Sequence, residues 1–167
     1  MNVDRAGNPS APEIDLQQIS VSRNGVSGCW SIAWRITNKG AGPLSLLATR
    51  LPHGQFKAEE QIFHPAIKLA PAQSGEFLSV VQCEQAPGLV TENAFVIFQV
   101  IWSGEPWRIF VRVRVVVNSN GEPNTKVELI TTQQFGFSGV SCLINKGREA
   151  FMAKNYQDIY VLQRMRG

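Results

Sequence analysis

A chain of 167 residues, 44% hydrophobic and only 17% charged, is long enough to form one domain with its own core and needs no disulfide staple. Residues 1–142 balance eleven Lys and Arg against eleven Asp and Glu, so the net charge of +3 comes entirely from the C-terminal segment. A neutral body is poor footing for sequence-independent phosphate binding. No apolar run reaches the roughly 20 residues of a membrane helix, and Cys29, Cys83 and Cys142 show neither metal-ligand spacing nor a Cys-x-x-Cys pair.

In chain order, residues 1–12, with Gly7, Pro9 and Pro12, read as a flexible leader without the basic start and apolar stretch of a secretory signal. A first strand is expected over residues 14–22, a turn at Arg23-Asn24-Gly25, and a return strand over 28–37, where Trp30, Ile32, Trp34 and Ile36 alternate with Ser31, Ala33 and Arg35. A third strand covers 44–51 and ends at Pro52-His53-Gly54. Residues 55–68 are the least regular stretch, broken at His64-Pro65. A further strand is expected over 76–82.

Residues 94–117 form the densest apolar block, two extended runs hinged at Ser103-Gly104-Glu105-Pro106. On the first arm Val96, Phe98, Val100 and Trp102 alternate with Phe95, Ile97 and Ile101, so both faces are apolar and only Gln99 interrupts, as a central strand requires. On the second arm Trp107, Ile109, Val111, Val113, Val115 and Val117 share one face, and Arg108, Phe110, Arg112, Arg114 and Val116 share the other. A last strand is expected over 127–132. The basic extension 141–167 reads either as a helix over 149–164 or, at 159–162, as a short strand.

About seven to nine short strands and no helix in the body predict an all-β, antiparallel β-sandwich over residues 13–140. The alternating strand of Trp34 and Ile36 runs into an Asn38-x-Gly40 turn, and Leu69-x-Pro71-x-x-Ser74 makes a second turn. Together they resemble the bacterial immunoglobulin-like domains of adhesion and accessory proteins, over about residues 14–117. The resemblance implies an immunoglobulin-like fold and a non-catalytic binding or spacer module. Such domains are commonly extracellular and in tandem, whereas this chain shows one copy and no signal, so a cytoplasmic protein with reduced thiols is expected.

Residues two apart on a strand face stand about 7 Å from each other. Arg108, Arg112 and Arg114, with Arg35 on another strand, therefore suit a carboxylate-bearing or other anionic partner, or a solvated face whose cationic stems cover Phe110. His53 and Trp107 are candidates for a small-ligand or sugar pocket at the loop ends. Two histidines, His53 and His64, eleven residues apart match no compact metal spacing, and a triad of Cys83, a histidine and Glu84 has no local motif behind it. The four tryptophans fit core packing, each indole N–H needing a partner at the core margin. The leading expectation is a non-catalytic protein-interaction or assembly module that needs no cofactor or metal. Its partner is another protein or, most simply, a second copy in a homodimer, and neither nucleic acid nor membrane is expected. The alternatives are a ligand-binding sandwich and, third, a hydrolase or metalloenzyme.

Overall fold

The structure, a computed structural model, describes residues 10–135. The expected extension 141–167, Cys142 and most of the leader lie outside them. Eight strands follow one another: β1 (Ile14–Arg23), β2 (Cys29–Asn38), β3 (Leu44–His53), β4 (Phe56–Leu69), β5 (Ser74–Gln82), β6 (Val90–Trp102), β7 (Glu105–Val117) and β8 (Pro123–Gln134). All pairings are antiparallel, in the order β1-β2-β5-β4-β3-β6-β7-β8. The all-β expectation holds among the described residues, where no helix is long and apolar enough to cross a membrane.

The sheet is nearly closed, and two seams divide it. At one, β5 and β4 share a single pair, Lys57 with Gln82. At the other, the outermost strands β1 and β8 meet through a side chain. Gln18 donates from Nε2 to Pro123 O (3.0 Å) and accepts at Oε1 from Thr125 N (2.9 Å) and Thr125 Oγ1 (2.8 Å). Gln18 stands beside a break in the β1–β2 register. A bulge re-aims the neighbouring side chain, and here an amide takes the place of a ladder pair. Between the seams lie a three-stranded leaf, β1-β2-β5, and a five-stranded leaf, β4-β3-β6-β7-β8.

Period-two patterning fills the space enclosed. Trp30, Ile32, Trp34 and Ile36 of β2, Val96, Phe98, Val100 and Trp102 of β6, and the six inward residues of β7 from Trp107 to Val117 are all buried. Phe77 of β5 stacks on Trp34 and meets Phe98 of the other leaf edge-on at 5.7 Å between centroids. Trp30 Nε1 donates to Cys83 O (3.1 Å). The indole N–H groups of Trp34, Trp102 and Trp107 have no hydrogen-bond partner among the described residues, contrary to the expectation of one each. At 0% exposure, Asn38 ties the β2–β3 turn together, giving Nδ2 to Gly42 O (2.8 Å) and Leu69 O (3.0 Å) and accepting from Gly40 N (3.0 Å).

Three elements differ from expectation. The stretch read as least regular is the 14-residue β4. It swallows its irregularity as a bulge, since β3 passes from Ile67 to Ile62 across one residue, Leu47. The central hairpin turns on two residues, Ser103 (φ 49) and Gly104 (φ 81), the left-handed pair that matches strand twist, so Glu105 and Pro106 belong to β7. β8 starts at Pro123, ahead of the apolar pattern that begins at Val127. Ala11 and Pro12, the end of the expected leader, pack on the body.

Candidate functional site

The outward positions of β7 line up with outward positions on both neighbouring strands. Arg108 lies between Gln99 of β6 and Gln133 of β8, Phe110 between Ile97 and Thr131, and Arg112 between Phe95 and Leu129. The rows continue onto β3, where Gln99 pairs with Ala48 and Ile97 with Arg50. A band of Phe95, Ile97, Phe110 and Ala48 therefore crosses the outer side of the five-stranded leaf, with guanidinium groups set along it; Ile97 and Ala48 are buried and Phe95 and Phe110 half-buried. Arg108, Arg112 and Arg114 do share one face.

Two of these arginines hold carboxylates. Arg114 Nε sits 3.0 Å from Glu92 Oε1, whereas Arg112 Nε, buried and without a hydrogen-bond partner among the described residues, is 3.5 Å from Glu128 Oε2. Both ion pairs are substantially exposed, so each contributes at most about 1 kcal/mol. Both distances are to Nε, and each guanidinium carries further N–H donors on its two terminal nitrogens. The solvated-face reading and the binding reading thus share the same atoms.

Gln99, the one polar residue inside the apolar run of β6, is only 6% exposed and donates from Nε2 to Glu60 Oε1 (3.0 Å), while its Oε1 has no partner among the described residues. Burial raises the Glu60 carboxyl above its ordinary value, against the lowering influence of Arg50 and of the Gln99 hydrogen bond. Glu60 and Arg50 were not legible as members of this face, because they come from either side of the β3–β4 turn and meet β6 only through the register. Gln99 carried the signal, a lone amide in a doubly apolar strand.

Arg35 is not brought to this group. It lies on β2, beyond β8 and β1 from β7, and is held by Glu76 through Nε (3.1 Å) and Nη2 (2.7 Å). His53 and Trp107 are also apart. Trp107 pairs with Val100, which pairs with Leu46. His53 follows Leu46 by seven residues on β3, about 20 Å along the strand. Trp107 is buried edge-on against Trp102 (6.3 Å between centroids), and His53 Nδ1 accepts from Gln55 N (3.1 Å).

Cys83 is 4% exposed, and burial raises its thiol above the ordinary value, with a backbone hydrogen bond at Gln85 opposing. That environment favours the neutral thiol over the thiolate a nucleophile needs. Cys29, the first residue of β2, opposes Gln82, and Cys83, just past the end of β5, stands one position further along the same line. Their side chains therefore point to opposite sheet faces, and both are free thiols. Among the described residues, no three His, Cys, Asp or Glu groups stand close enough to hold a metal ion. No protein-family model matches the chain, and a comparison with curated proteins finds no match.

Proposed function

We propose that this chain is a non-catalytic protein-interaction or assembly module on an immunoglobulin-like sandwich, working in the cytoplasm, and that the outer face of β6, β7 and β8 receives its partner. The observation that carries this reading is the coincidence, on adjoining rows, of Arg108, Arg112 and Arg114 with the half-buried Phe95 and Phe110. Arginine and aromatic side chains dominate the energetics of protein interfaces, and a guanidinium fork suits a carboxylate in a partly dry setting. The fitting partner is a protein surface that offers Asp or Glu beside apolar side chains. Nucleic acid is disfavoured by the neutral body, in which Glu92 and Glu128 stand beside the arginines.

Changing Arg108, Arg112 and Arg114 together to Ser tests the reading by quantitative affinity capture from the native host. The variant should keep the far-UV circular dichroism of the wild type and lose at least about tenfold in partner yield, since each lost charge-assisted contact is worth about 1.5–3 kcal/mol. Undiminished capture by a folded triple variant would remove this face as the contact.

A further inference from the structure

The backbone of β5 alternates between two directions. Asn38 N donates to Gln73 O (2.9 Å) at one end of the β2–β5 ladder, Cys83 N donates to Gly28 O (2.8 Å) at the other, and the register between them is unbroken. Odd-numbered residues of β5 therefore direct their N–H and C=O groups to β2, and Glu76, Leu78 and Val80 direct theirs away from it. On that side β4 forms one pair, at Gln82. Otherwise the strands touch by side chains, Phe63 on Phe77 at 5.3 Å between centroids and Ile67 and Leu69 over Gly75. Among the described residues, then, Glu76, Leu78 and Val80 have no ladder partner on this edge. Leu78 is 62% exposed and Val80 55%.

Sheet edges are normally guarded by charge, by proline or by a covering strand. β4 has Pro65 in its bulge and exposes Lys57, Glu59, His64 and Lys68. β1 and β8 cover each other through Gln18. Among the described residues β5 has no such guard: its one charged residue is Glu76, already engaged by Arg35.

We propose that β5 is a self-association edge, on which a second copy of this chain lays its own β5 antiparallel, joining two three-stranded leaves into one six-stranded sheet. The edge is complementary to itself. With the two-fold axis at Leu78, that side chain opposes Leu78 of the second copy and Glu76 opposes Val80, so no like charges meet and apolar surface is covered. The pairing is limited to Glu76–Val80: Lys57 holds the place opposite Gln82, so each copy must bend out of the ladder line at Ser74, the first residue of its β5. Each Glu76 then comes within two positions of the other copy's Lys57, about 7 Å along the strand line and within reach of both side chains. The proposal rests on the reading above in taking the module to work by association, but it uses the opposite leaf.

Sedimentation velocity of the full chain, from nanomolar to high micromolar concentration, should show a reversible monomer–dimer equilibrium. Leu78→Lys places two ammonium groups face to face on the axis and should weaken that equilibrium at least about tenfold, with an unchanged thermal midpoint at concentrations where both proteins are monomeric, because the side chain is on the surface. Leu78→Cys should give, on oxidation, an intermolecular disulfide between the two introduced thiols, identified by peptide mapping, since paired Cα atoms stand about 5.5 Å apart in such a ladder. The triple arginine variant, assayed alongside, should dimerise as the wild type does. A chain that stays monomeric throughout, a dimer indifferent to Leu78→Lys, or a dimer abolished by the arginine changes overturns the β5 assignment. None of these results alters the capture test of the arginine face, which fails or stands by itself.

Discussion

Replacing Gln18 by Ala removes the side chain that closes the β1–β8 seam. Three hydrogen bonds of 2.8 to 3.0 Å disappear, each worth about 1 kcal/mol net. Gln18 is half-buried, so water recovers part of the loss at Thr125, whereas the carbonyl of buried Pro123 recovers little. The net cost is about 2 kcal/mol, which lowers the thermal midpoint by about 5–8 °C for a body of this size. Urea denaturation followed by tryptophan fluorescence measures it, and amide exchange should rise in β1 and β8 before other strands. A Gln18→Glu variant gives a sharper check. Its carboxylate still accepts from Thr125 but cannot donate to the Pro123 carbonyl, so at neutral pH it should destabilise the fold through that one contact. A Gln18→Ala change that costs less than about 0.5 kcal/mol, the range of an ordinary surface substitution, would refute the idea that this amide holds the seam.

Asn38→Ala should cost about 2–4 kcal/mol in denaturant unfolding, because two carbonyls and an amide N–H lose a buried partner together. Asn38→Asp should be worse still at neutral pH, since a carboxylate cannot donate to Gly42 O or Leu69 O. Glu60 has a raised carboxyl in the fold, so the native state binds its proton more tightly than the unfolded chain. Its contribution to stability is greatest below the ordinary glutamate range and is lost as pH rises through the raised value. Glu60→Gln should flatten that part of the stability–pH curve, keep the Gln99 contact and leave stability at neutral pH unchanged or higher; an unaltered curve would contradict the burial argument.

Period two made much of the fold legible. The alternation in β2 and the opposed faces of β7 were readable because the inward residues are apolar and the outward ones mostly polar or cationic, and all six inward residues of β7 are buried. β4 was not readable, since its bulge breaks the alternation at the residues opposite Leu47. The closure of the sheet was hidden for another reason. It depends on one glutamine beside a register shift, a residue type that a propensity reading treats as ordinary strand surface. The arginine stripe could be placed on one face from spacing alone. Its membership could not: Arg35 is separated by two strands, while Arg50 and Glu60 join through a turn and a ladder. His53 and Trp107 were linked only as loop-end residues, and antiparallel register assigns them to opposite ends of the sheet.

A sheet closed at one seam and open at the other is tested most directly by residue-resolved amide exchange of the dilute monomer. Phe77, Ser79 and Val81, directed to β2, should exchange slowly, and Glu76, Leu78 and Val80 quickly, an alternation along one strand that only a free edge produces. Equal protection at all six in the monomer would contradict it.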